Sequence, residues 1–163
     1  MQKVLKFLHL TAVSVFVGSI PGHILLGVAA GRAADPAIAL VWYQAKHLLT
    51  AGLTGSALLA AMATGAVVLL RRRRLLHARW LQLKLLLVLL IAANGLLVLT
   101  PISAELATLA AQAAEGQATM TAVAALKARE SIAGAANIAM LALVLALAVF
   151  RPQLGARSAA LHG

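Results

Sequence analysis

Residues 4–28 read VLKFLHLTAVSVFVGSIPGHILLGV, and this stretch decides the fold. Its one charged side chain, Lys6, sits near its start. The rest is longer than the roughly 20 residues an α-helix needs to cross a hydrocarbon layer about 30 Å thick. Two histidines interrupt it, His9 and His23, fourteen residues apart. At the rise of an α-helix that spacing is about 21 Å, and about 40° short of whole turns. The two imidazoles therefore belong to nearly one helix face, one near each membrane surface. An ionisable group inside a bilayer is costly and usually faces the bundle interior. Such a layout suits two cofactors stacked across a membrane.

Three further runs reach spanning length, His47–Leu70, Leu75–Leu99 and Ile132–Phe150. With 63% of residues hydrophobic and 11% charged, a chain of 163 residues cannot hide its apolar surface as a soluble domain. No run alternates as a barrel strand would. The expected fold is all-α, a single four-helix transmembrane domain over residues 1–152 with a cytoplasmic tail at 153–163. The first run lacks a cleavage signature and is read as a span, not a signal.

Charge placement orients the bundle. If the runs alternate, Lys3, Lys6, Arg71–Arg74, Arg79, Arg151 and Arg157 share one side. Arg32, Lys46, Lys127 and Arg129 share the other, balanced by Asp35, Glu105, Glu115 and Glu130. The positive-inside rule then puts both termini in the cytoplasm, as in a multi-pass protein of a bacterial inner membrane. Trp42 and Tyr43 fit an outer interfacial belt and Trp80 an inner one. The net charge of +10 hugs membrane ends, where it sets orientation and meets anionic lipid, so nucleic acid is not an expected partner. The absence of cysteine excludes disulfides, thiolate metal sites and cysteine catalysis.

Gly31–Pro36 is read as a tight outer loop and Arg71–Arg74 as a basic inner one. Pro101 is expected to end helix three. Ile102–Glu115 reads as an amphipathic helix on the outer surface, broken at Gly116. Gly18 and Gly22 form a GxxxG, and Gly52, Gly55, Gly65 and Ala133–Ala136 add small residues to the spans. These serve helix packing or dimerisation, or else make room beside a flat macrocycle.

Each ionisable residue carries two readings. His9 either hydrogen-bonds a neighbouring helix or ligates a metal or haem, with Lys84 at similar depth. Lys84 either snorkels to the surface or partners that site. His23 and His47 share an outer depth on adjacent helices; they are wetted interfacial groups, or they clamp one haem iron from both faces. His77 is a solvated loop residue or reaches a cofactor held by His9. Zinc would want three or four convergent ligands and copper(I) would prefer sulfur, so haem asks least of this sequence. Carboxylates are absent from the runs, and Glu130 stands only near an end. Acid–base hydrolysis and carboxylate-driven transport therefore lack their parts.

Lys6-Phe7-Leu8-His9 resembles the KxxH opening of the HemJ-type protoporphyrinogen oxidases, small membrane proteins that bind haem b. Trp80-Leu81-Gln82-Leu83-Lys84 resembles the WLxxK stretch of the same family, and Asn94-Gly95 falls where that family often has His-Gly. The resemblance extends loosely to CopD-like copper-resistance membrane domains and to a group of four-helix integral membrane proteins. It implies His9 as a haem ligand and Lys84 as a catalytic partner near a propionate or substrate. It covers helices one and three only. Where the family continues to a Pro-Arg pair, this chain has Pro21-Gly22-His23.

Together these features lead to the expectation of a b-type haem protein with one or two haems, passing electrons between quinol and an acceptor. His9, His23 and His47 would be the iron ligands, and His77 a further cofactor contact. The alternatives are protoporphyrinogen oxidation and a non-redox accessory or copper-handling role. Lipid, quinone or porphyrin, and further copies of the chain are the expected partners.

Overall fold

The computed structural model describes residues 2–71, 78–117 and 120–150. His77 and the tail at 153–163 lie outside them. Among the described residues six α-helices follow in order: α1 Gln2–Arg32, α2 Pro36–Leu48, α3 Gly55–Leu70, α4 Arg79–Asn94, α5 Thr100–Ala114 and α6 Met120–Phe150. Two π-helical segments, Leu49–Thr54 and Gly95–Leu99, weld α2 to α3 and α4 to α5. Four continuous apolar helices result, over Lys3–Arg32, Pro36–Leu70, Arg79–Ala114 and Thr121–Phe150. The four-helix membrane bundle expected from composition is the fold.

The helices are longer than the apolar runs. Helix two begins at Pro36 rather than His47, because Asp35 caps it: its Oδ1 accepts the Ala37 N–H at 2.8 Å, and Pro36 opens the first turn. Helix three does not stop at Pro101. The π segment before it directs the Thr100 N–H back to the Gly95 carbonyl, and Pro101 then occupies a first-turn position, where a missing N–H is tolerated. Ile102–Glu115 is therefore the continuation of helix three, not a separate surface helix. Its end is where the sequence placed it. Gly116 adopts φ +73°, with Gln117 N–H bonded to Gln112 O and Gly116 N–H to Ala113 O, a Schellman stop.

A helix of 35 residues is about 52 Å long, well beyond a hydrocarbon layer of about 30 Å. Counting about 20 residues from the inner ends Lys6, Leu70, Arg79 and Phe150 reaches Leu26, Thr50, Leu99 and Glu130. Beyond that level α2, α5, the end of α1 and the start of α6 form an outer layer with its own core. Ala30, Ala39, Tyr43, Leu106, Ala110, Ala113, Val123 and Leu126 are buried there. Glu105, Thr108 and Gln112 face outward on α5, as does its C-cap Glu115. Tyr43 is thus a core residue rather than part of an interfacial belt, whereas its neighbour Trp42 stays exposed.

Below the outer layer, α1 packs on α3 and α4 on α6, while α2 against α5 provides the main join between the two halves. A smaller cluster, Leu87, Ile91 and Val144, is met by Phe16 from α1. Lipid tails are as apolar as leucine, so burial gives helices little reason to associate in hydrocarbon. The larger core lies where water returns.

This topology is testable because the chain lacks cysteine. A cysteine introduced as Ala34→Cys or Gln117→Cys should react with a membrane-impermeant maleimide added to intact spheroplasts. Arg71→Cys should react only after permeabilisation. The reverse pattern would invert the orientation read from the arginines.

Candidate functional site

Between the two halves lies a cavity of about 380 Å³. It falls in the range of small-molecule sites. Phe16, Leu58, Ile91 and Leu141 line its deep end, while Lys46, Lys127 and Glu130 line the other. Lining residues Ile24, Leu96 and Ile138, all within the hydrocarbon level, are also exposed, so the cavity opens sideways into the bilayer. Both π segments flank it: Thr50, Thr54, Gly95, Leu96 and Leu99 all line its wall. Such segments widen a helix locally and recur at functional sites.

Its polar end is built on a buried ion pair. Lys46 Nζ donates to Glu130 Oε2 at 2.5 Å, and each side chain keeps 10% of its surface exposed. Lys46 belongs to helix two and Glu130 to helix four, so the pair ties one half of the molecule to the other. Glu130, read from the sequence as standing only near an end of the fourth run, is a buried residue at the outer hydrocarbon level. Helix four starts near residue 120, a full three turns before Ile132, and carries Glu130 inside. Thr50 Oγ1 donates to the Lys46 carbonyl at 2.9 Å, where the π segment begins.

Glycines on α1 make room for the charges. A Cβ on Gly27 would stand 3.2 Å from Lys46 Nζ, and a side chain on Gly31 would collide with Lys127 Nζ. Gly27 and Gly31 are four residues apart and share a face, so they form the GxxxG that seats two ammonium groups. The Gly18–Gly22 pair acts differently. Gly22 admits Leu49, 3.1 Å from its notional Cβ, while Gly18 faces open space. Lys46, Lys127 and Glu130 were legible only as outer charges; the second GxxxG, ending at Gly31 beside Arg32, is the sequence signal for them.

His9 and His23 do share one face of α1, the face toward helix two. His9 Nδ1 lies 3.0 Å from the Ala61 carbonyl oxygen and 3.1 Å from Thr64 Oγ1. A carbonyl only accepts, and the Thr64 hydroxyl already donates to Ala60 O at 2.6 Å. Nδ1 therefore carries the proton and Nε2 the lone pair. The ring lies over Gly65, 3.1 Å from where its Cβ would be. His23 lines the cavity, and its Nε2 lies 2.8 Å from Thr54 Oγ1. Thr54 donates to Ser19 Oγ at 2.9 Å and Ser19 to the Phe16 carbonyl at 2.7 Å. The chain of donors runs one way, so His23 Nε2 holds the proton that starts it.

The remaining sites are separate. His47 Nδ1 pairs with Ser103 Oγ at 2.9 Å in the seam of α2 and α5, so His23 and His47 engage different partners. Lys84 is half-buried on α4. Asn94 Nδ2 donates to Ala133 O and to Asn137 Oδ1, both at 2.9 Å, pinning α4 to α6. No group of three or more histidines and carboxylates converges on a metal site among the described residues.

A family model described as "Predicted integral membrane protein (DUF2269)" matches residues 3–152. The chain belongs to the DUF2269 family. That match takes in all four DUF2269 helices, the cavity and the ion pair, and it establishes an integral membrane protein. No curated protein and no solved structure matches this DUF2269 chain.

Removing one member of a buried pair leaves its partner charged in a poorly polarisable site, at a cost of about 3–5 kcal/mol. Glu130→Gln should accordingly lower the thermal midpoint of the detergent-solubilised protein. The double substitution Lys46→Met with Glu130→Met should recover most of that loss. An unchanged midpoint in Glu130→Gln would mean that the pair does not join the halves.

Proposed function

We propose that the protein takes a membrane-dissolved amphipathic molecule into the cavity between its two halves, as a multi-pass protein of a bacterial inner membrane. One observation carries this reading: an apolar cavity opens toward lipid and ends in a buried ion pair at the outer hydrocarbon boundary. A buried charge pair is costly next to lipid, and a ligand head group gives it a role. Quinones and porphyrins, the partners expected from the sequence, belong to the same broad class of occupant.

A second reading is favoured by His9. Its Nδ1–H is held by the Ala61 carbonyl, which fixes the tautomer and leaves Nε2 as a ligand lone pair. That donor arrangement fits haem b, the cofactor implied by the HemJ-type resemblance, which would supply one-electron transfer between quinol and an acceptor. Lys84 is the residue that the resemblance would place beside it. His23 and His47 would each give up a hydrogen bond, to Thr54 and to Ser103, before serving as ligands. His9 therefore carries the haem reading.

Mass spectrometry of the organic extract of purified protein tests the first reading. The wild type should release one bound amphipathic species enriched over bulk lipid. Gly134 lines the cavity, and a Cβ there meets nothing within 4 Å, so Gly134→Phe should fill the space without unfolding the bundle and cut the yield about tenfold. Equal lipid profiles in both proteins would refute the cavity. A reduced-minus-oxidised visible spectrum tests the second reading, which requires a b-type α-band that His9→Ala weakens. A colourless protein from haem-supplied cells would end it.

A further inference from the structure

We infer that the cavity selects a single-chain carboxylate, with Lys127 as the counter-ion of its head group; this rests on the cavity reading proposed above. Hydrogen-bond accounting at the polar end comes first. The hydroxyl protons that face the cavity are already spent: Thr50 on Lys46 O, Thr54 on Ser19 Oγ, Thr100 on Gly95 O and Ser131 on Lys127 O. His23 Nε2–H is spent on Thr54. At the level of the ion pair the donors left for a ligand are ammonium protons; the Asn137 amide, whose oxygen accepts from Asn94, lines the cavity about two turns deeper.

Charge accounting comes second. Lys46 and Glu130 neutralise each other. Lys127, one turn from Glu130 on α6, lines the same cavity and forms no ion pair among the described residues. Its Nζ is seated against Gly31, on the same α1 face where Gly27 admits Lys46. Two cations and one anion leave a surplus of one positive charge at the outer end of the cavity. A monoanion cancels that surplus. A phosphate monoester, at about −1.5 to −2 near neutral pH, overshoots it.

Shape completes the case. From Glu130 to Leu141 the cavity follows α6 for about 16 Å, with only apolar or small residues below Asn137. That is a channel for one extended tail, entered sideways from the outer leaflet. A carboxylate at Lys127 lays its tail along α6 toward Phe16 and Leu141. A quinol, being neutral, leaves the surplus charge unanswered.

Photo-crosslinking of the full chain in phosphatidylcholine nanodiscs tests this, with two probes that carry a diazirine near the tail end: a palmitate and the matching alcohol. The palmitate should label α1 and α6 peptides around Phe16 and Leu141, at least tenfold more than the alcohol. Lys127→Glu should remove that preference, Lys127→Arg should keep it, and Gly31→Ala, which displaces the ammonium without removing it, should weaken it. Equal labelling by both probes, unaffected at Lys127, would overturn the head-group assignment while leaving the cavity intact. Labelling that Gly134→Phe fails to reduce would instead overturn the cavity itself. Displacement of palmitate by phosphatidylglycerol but not by unlabelled palmitate would overturn the carboxylate in favour of a phosphodiester lipid.

Discussion

A lysine and a glutamate carried on opposite halves of this chain can enter the edge of a hydrocarbon layer only together. Lys46 comes from helix two and Glu130 from helix four, and each alone would be an unpaired charge where polarisability is low. Much of the arrangement around them follows. The bare backbone of Gly27 gives Lys46 its place, and Gly31 does the same for Lys127. The outer layer of α2, α5 and α6 holds the partners at one level. Beneath the pair the halves separate enough to leave a cavity.

The distribution of buried residues follows from the change of solvent along each helix. In the outer layer, water makes burial favourable, and alanines allow close approach among Tyr43, Leu106, Val123 and Leu126. In the hydrocarbon, association relies on shape and on polar contacts between helices. Those contacts are visible: His9 to Ala61, His23 to Thr54 and Asn94 to Asn137. The histidines of α1 thus hold helix one to helix two whether or not either has a further ligand.

Much of this fold was legible in the sequence. The four membrane-spanning helices and the stop at Gly116 stand as read, while the loop read as Gly31–Pro36 narrows to residues 33–35, because α1 runs on to Arg32 and Pro36 already opens α2. The misreadings share one cause, which is that hydropathy marks where lipid is and not where a helix ends. Pro36–Lys46 and Thr100–Ala114 are helical but mixed in character, so the runs appeared to start late at His47 and to stop at Pro101. Glu130 was lost the same way, because an apolar run counted from Ile132 leaves it outside. The shared face of His9 and His23 could be counted from spacing alone. Their different hydrogen-bond partners could not, since those depend on which residues of helix two arrive opposite.

The two π segments carry a consequence for how such a protein can change over generations. A π turn holds one residue more than the α turn it replaces. Removing a single residue from Leu49–Thr54 or Gly95–Leu99 lets the helix close to regular α geometry while both flanks keep their faces. Elsewhere in a helix the same deletion turns every later side chain by about 100°. The cavity wall is thus the part of this bundle where length can vary without disturbing the packing on either side.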